Sequence, residues 1–240
     1  MRATGEPLLQ LRDVTQDYGG LRPLRVKAFE LRAAQRVAIL GMDQSAAEVF
    51  VNLVTGATTP RVGDVRAFGR LTSDIRDSDT WLDALRAYGL LGVRTVLIDQ
   101  LTVSQNLALP LTLDVDPMPE ALKTQMRALG AEVGLGAGVL DRRPPELGPL
   151  DLQRVRLGRA LAMDPKVLLA EHPTAPLERG DAEQFARDIS RIVSSRAMAA
   201  VFITADRAFA QQAADEIVML KPATGELVSA VGWRRWFGGT

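Results

Sequence analysis

The sequence predicts an α/β fold that carries a helical insertion. Three observations predict it. Near the N-terminus, two segments alternate apolar and polar residues with the period of half-buried strands. A short apolar run over residues 36–40 ends at Gly41 and leads into a segment of helical character. A long stretch of helical period then gives way to alternating apolar strands and helices.

Residues 8–15 and 24–32 are the two alternating strands, and Tyr18-Gly19-Gly20 is the turn between them. Residues 36–40 form a buried strand that feeds a loop. A helix follows over 46–54 and stops at Gly56, and residues 62–69 form another strand. From Trp81 to Ala162 the period is helical, with helices expected over 101–113, 121–133 and 150–163. The remainder reads as strand 166–170, helix 181–195 with a solvated charged face, strand 199–204 and helix 207–214. A closing hairpin is expected from 216–220 and 225–231. No internal repeat or low-complexity tract interrupts this order.

The chain has 240 residues, 47% hydrophobic and 24% charged, which suits one large α/β domain or two small ones. Its 29 basic and 29 acidic residues cancel, so net charge draws neither nucleic acid nor an acidic partner. There is no cysteine, which excludes disulfides and thiolate metal sites. The N-terminal MRATGEPLLQLRD lacks the apolar core of a secretory signal. No stretch approaches the ~20 apolar residues of a membrane span. A cytoplasmic protein able to dock on a membrane partner is expected.

Short framework stretches then recur in order. They are Val37–Leu40 with Gly41, Asn52-Leu53-Val54-Thr55-Gly56, Gly63-Asp64-Val65, Asn106-Leu107-Ala108-Leu109-Pro110-Leu111, Gln153-Arg154-Val155, Arg159-Ala160-Leu161-Ala162, Pro165-Lys166-Val167-Leu168-Leu169-Ala170 and Pro173-Thr174. In these stretches, over residues 8–232, the chain resembles the ATP-binding domain of ABC transporters. The resemblance implies a single P-loop NTPase-like domain over 1–240. Its parts would be an antiparallel β subdomain, a mixed-sheet core and a helical subdomain over about 94–160. It also implies that Tyr18 is the aromatic that stacks on adenine.

The chemical positions of that family read differently here. A P-loop, G-x-x-x-x-G-K-[ST], aims backbone N–H groups, a lysine and a Mg²⁺-binding hydroxyl at phosphates. The corresponding residues are Gly41, Met42, Asp43, Gln44, Ser45, Ala46, Ala47 and Glu48. The second glycine, the lysine and the hydroxyl are replaced by Ala46, Ala47 and Glu48. Loss of the lysine removes charge-assisted hydrogen bonds worth ~1.5–3 kcal/mol each. A carboxylate ~4 Å from a phosphate, at an effective dielectric of ~20, adds repulsion of order 4 kcal/mol. Glu48, with Asp43 as a second candidate carboxylate, sets this repulsion. Glu48 is expected to cap the helix N-terminus and occupy the phosphate's electrostatic niche.

At the end of strand 166–170, the family's Asp-Glu pair corresponds to Glu171-His172. His172, the chain's one histidine, reads as a hydrogen-bonded strand-end residue. The other reading is a replacement general base. The signature loop corresponds to Leu147, Gly148, Pro149, Leu150 and Asp151, where Pro149 removes a backbone donor. The Q-loop glutamine aligns with Val93, the switch histidine with Ala205, and the D-loop with Ala175-Pro176-Leu177-Glu178.

With every chemical position altered and the framework intact, the resemblance implies a non-catalytic subunit. It would have no catalytic residue and no metal site, and would take ATP and Mg²⁺ only if residual binding survives at the P-loop positions and Tyr18. Such a subunit lies at the inner face of the cell membrane. It pairs with another copy or a related ABC domain, and it meets an integral-membrane permease through its helical subdomain. Neither composite site of such a pair would be competent. A second reading is an active ATPase in which Glu171 and His172 carry the metal and base roles. A third is a soluble regulator descended from an ABC domain. The basic aromatic cluster Trp233-Arg234-Arg235-Trp236-Phe237 reads equally as a membrane or partner contact and as a tail folded on the domain.

Overall fold

A computed structural model of the chain describes residues 6–92 and 94–229. Val93 and the cluster Trp233–Phe237 therefore lie outside the described residues. The elements in chain order are β1 (Leu9–Gln16), β2 (Leu24–Leu31), β3 (Arg36–Leu40), α1 (Gln44–Val54), β4 (Val62–Ala67), β5 (Arg70–Leu71), α2 (Ser78–Leu85) and β6 (Tyr88–Leu91). They continue with α3 (Val103–Ala108), α4 (Glu120–Glu132), α5 (Pro149–Leu161), β7 (Val167–Glu171), α6 (Arg179–Ser195), β8 (Ala199–Thr204), α7 (Arg207–Ala213), β9 (Glu216–Lys221) and β10 (Glu226–Ser229).

Among the described residues, all ten strands join one sheet in the order β5-β4-β1-β2-β10-β9-β3-β8-β7-β6. Strands β6, β7, β8, β3 and β9 run parallel. The β1–β2, β1–β4 and β9–β10 pairs are antiparallel, so the sheet is mixed, as expected. Side chains of a strand alternate between faces, and the parallel strands divide their apolar residues accordingly. Ala38, Leu40, Leu168, Ala170, Ala200 and Phe202 join the core under α3–α7. Val37, Ile39, Val167, Leu169, Val201 and Ile203 join the core under α1, β1 and β2. Burial on both faces explains why these strands read as unbroken apolar runs.

Local chemistry marks the boundaries. The N-terminal strand keeps its apolar face in spite of a phase change after Arg12. The β1–β4 register shifts between Arg12 and Thr15, Asp13 takes φ 48°, and Val14 rather than residue 13 turns inward. Gly63 makes this bulge possible, because a Cβ there would lie 2.4 Å from the Asp13 carbonyl oxygen. Helix α3 opens on a capping box in which Thr102 and Gln105 satisfy each other's backbone amides. It ends at Ala108, short of the expected 113: Leu109 is still helical and donates to the Gln105 carbonyl, but Pro110 has no N–H to continue the ladder.

The stretch expected to be helical from residue 81 also contains a strand. Tyr88–Leu91 pairs in parallel with Val167–Ala170. Gly89 lets it lie against α5, where a Cβ would sit 2.5 Å from the Ala160 carbonyl oxygen. Pairing with β7 overrides the local pattern there. Among the described residues, no helix is long and apolar enough to cross a membrane.

Candidate functional site

In open α/β sheets, ligands bind beyond the carboxyl ends of the parallel strands. Here β3 ends at Leu40, β7 at Glu171 and β8 at Thr204. Gly41 lets the chain leave β3, with φ +84° and only 2.9 Å between a hypothetical Cβ and the Leu220 carbonyl oxygen. Helix α1 starts three residues later.

The cap of α1 is Asp43, not Glu48 as expected. An Asp43 carboxylate oxygen accepts the Ala46 N–H at 2.8 Å, and the Asp43 carbonyl accepts the Ala47 N–H at 2.9 Å. Position sets the difference: an N-cap side chain reaches the amides of the first turn, whereas Glu48 lies past that turn. Ala46 and Ala47 are fully buried against the core, whereas Gly41, Gln44, Ser45 and Glu48 are exposed.

Glu171, at the end of β7, is only 6% exposed. Its carboxylate accepts from Gln44 Nε2 at 3.1 Å and from Arg94 Nη2 at 2.8 Å. The same guanidinium donates to Asn52 Oδ1 at 3.1 Å and lies 3.5 Å from Glu48 Oε1. Gly92 gives room for this approach, since a Cβ there would lie 3.2 Å from that of Glu171. Thus Gln44, Glu48 and Glu171 come together, and the residue that joins them, Arg94, escaped the sequence reading. A signal was present: a carboxylate at a buried strand end requires a cation nearby.

His172 follows in a left-handed conformation, φ 46°, and its backbone amide donates to the Ile203 carbonyl at 2.7 Å. Its Nε2 is buried without a hydrogen-bond partner, which corrects the expectation of a hydrogen-bonded strand-end residue. Together with Thr174, Leu177, Ala205, Asp206 and Phe209 it lines a cavity of about 420 Å³. Thr174 Oγ1 donates to Asp206 at 3.1 Å, and Asp206 in turn caps α7 through the Phe209 amide at 3.0 Å. The D-loop residues fold into turns, Ala175 N–H to the His172 carbonyl and Leu177 N–H to that of Thr174, each at 3.0 Å.

The Leu147–Asp151 stretch lies at the start of α5. Gly148 is the N-cap and Pro149 the first helical residue, where a missing N–H costs nothing. Asp151 faces Arg154 at 3.3 Å, and Leu147 and Leu150 pack on the apolar core. Tyr18 is folded over its own turn: a Cβ on Gly20 would lie 2.5 Å from the Tyr18 ring. Buried Gln153 fixes the loop after β7 by donating to the Pro173 carbonyl at 2.6 Å. Among the described residues, no group of three or more metal-ligating side chains forms a cation cage.

A loop-to-helix turn after a central parallel strand, faced by the terminal carboxylate of a second strand, belongs to the ATP-binding cassette fold. The dimeric structure of MJ0796, a bacterial ABC transporter cassette, superposes with a TM-score of 0.74 at 23% identity, covering 91% of this chain and 96% of that one. The lipoprotein-releasing system ATP-binding protein LolD of Pseudomonas syringae pv. tomato is 31% identical over 201 residues, 84% of this chain and 86% of that protein. The sulfate/thiosulfate import ATP-binding protein CysA of Pseudomonas aeruginosa is 26% identical over 229 residues, 93% of this chain and 67% of its own length. No family model matches the chain. By its likeness to LolD, the chain belongs to the ABC transporter ATP-binding protein family.

Proposed function

We propose that this chain is a non-catalytic member of the family, supporting a membrane transport complex without hydrolysing ATP. The observation that carries this reading is the state of the α1 N-terminus. Anions bind helix N-termini because free N–H groups point at them. Here the Asp43 carboxylate already accepts the Ala46 amide, so a phosphate would have to displace an anion built into the chain. The two buried methyl groups of Ala46 and Ala47 offer neither close backbone approach nor charge. The residues present therefore do not fit a magnesium nucleotide.

In this reading the helices between β6 and β7 meet an integral-membrane subunit, and the chain sits at the inner membrane face beside a second ABC domain. Lipoprotein release and sulfate/thiosulfate import, the activities named for LolD and CysA, are examples of the transport that such a complex carries out. A second reading, an active ATPase, is favoured by one observation, the unpartnered His172 Nε2 beside the strand ends.

Calorimetric titration and phosphate release on the purified protein separate the two. The expected result is no Mg-ATP binding heat and no turnover. Micromolar binding, with turnover abolished in His172→Ala, overturns the non-catalytic reading. Co-purification with an integral-membrane subunit tests the assembly, and its absence from detergent extracts favours a free regulator.

A further inference from the structure

Arg94 joins the segment that follows β6 to both α1 and the end of β7. Toward the core it binds Glu171 at the end of β7 and Asn52 on α1, and it faces Glu48 on α1. Its neighbours in sequence are held from the opposite side. Arg156 Nε on α5 donates to the Thr95 carbonyl at 3.3 Å, and Arg159 Nη1, also on α5, donates to the Val96 carbonyl. Thr95 Oγ1 returns to the Leu90 carbonyl of β6 at 3.0 Å. Downstream, buried Asn106 accepts the Ile98 amide at 2.8 Å and donates to the Ile98, Leu101 and Thr102 carbonyls. The segment 94–102 is thus anchored to α3 and α5, and one guanidinium fastens it to α1 and β7.

Glu171 is 6% exposed while Arg94 is 43% exposed. A carboxylate buried to that degree needs a cation, and the chain supplies its own. We propose that Arg94 is a built-in cation that clips the 94–102 segment, and with it α3 and α5, to α1 and β7 without any ligand. The linkage of the helical block to the sheet is then constitutive.

The test is hydrogen exchange on the full chain without nucleotide, comparing wild type with Arg94→Ala, Arg94→Lys and Glu171→Gln. Amides of residues 94–102 are expected to exchange at least about tenfold faster in Arg94→Ala and Glu171→Gln, while β3 and β8 stay protected. Arg94→Lys is expected to fall between, since an ammonium lacks the planar fork that reaches Glu171 and Asn52 at once. Low-millimolar methylguanidine is expected to restore protection in Arg94→Ala and to leave wild type unchanged. Unchanged exchange over 94–102 in Arg94→Ala overturns the clip. Failure of methylguanidine to restore protection overturns the internal-cation assignment. If Arg94→Ala does not fold, the neutral pair Arg94→Gln with Glu171→Gln removes the buried charge. Loosening of 94–102 in that folded protein supports the clip, and wild-type protection sinks it. Because no nucleotide is added, ATP turnover by the wild type would leave this result readable.

Discussion

At the residue scale, Asp43 and Asp215 show how one carboxylate is used in two ways. Asp43 terminates α1, and an N-cap aspartate contributes about 1 kcal/mol. Asp43→Ala is therefore expected to lower unfolding free energy by about that amount in urea titration, while Glu48→Ala, lacking a cap role, lowers it by less than about 0.5 kcal/mol. Asp215 instead pins β9 to β3, accepting from Arg36 Nε and from the Arg36 amide, each at 3.1 Å. Hydrogen bonding from the Arg36 side chain holds the Asp215 carboxyl below its ordinary range. A depressed folded-state value stabilises above the unfolded pKa, about 4, and is lost as pH falls through the folded value. Asp215→Asn is expected to cost about 0.5–1 kcal/mol at neutral pH, after discounting for solvent screening. The difference from wild type should shrink in denaturant titrations below about pH 4.

At the scale of elements, the α5–α6 contact rests on an ion pair little exposed to water. Arg154 Nη2 donates to Asp188 at 2.7 Å, with the side chains 15% and 11% exposed. Gln184 occupies the other Asp188 oxygen at 3.2 Å. Removing one partner strands a charge, so Arg154→Ala is expected to cost about 3 kcal/mol. Replacing both by leucine should recover most of the loss in the same unfolding measurement. Elements such as α6 were legible because their apolar residues repeat at helical spacing, as Ala182, Phe185, Ala186, Ile189, Ile192 and Val193 do. Strand β6 was not legible. Tyr88–Leu91 is too short for its period to show, and its partner Val167–Ala170 lies far along the chain.

At the scale of the whole molecule, the non-catalytic reading predicts thermal indifference to nucleotide. A ligand at 100 times its Kd stabilises the folded state by about 2.7 kcal/mol, which raises the melting temperature of a chain this size by roughly 5–10 °C. Mg-ATP at about 1 mM is expected to shift it by less than about 1 °C. A shift of several degrees would show that the pocket still grips phosphate. The candidate site was only half legible for the same reason that the sheet order was. Gln44, Glu48 and Glu171 could be named through the resemblance of the stretches around them to a known family. That a single guanidinium from residue 94 joins them depends on where β6 brings the chain back beside β7.

Most of the strands and helices, and the buried apolar strands among them, follow from the sequence alone, because hydrophobic period is a local property of the chain. Which cation answers Glu171 was decided only by tertiary structure. That choice depends on a few ångströms of approach between residues 94 and 171, in segments remote in sequence, where burial turns a nearby charge into a required partner.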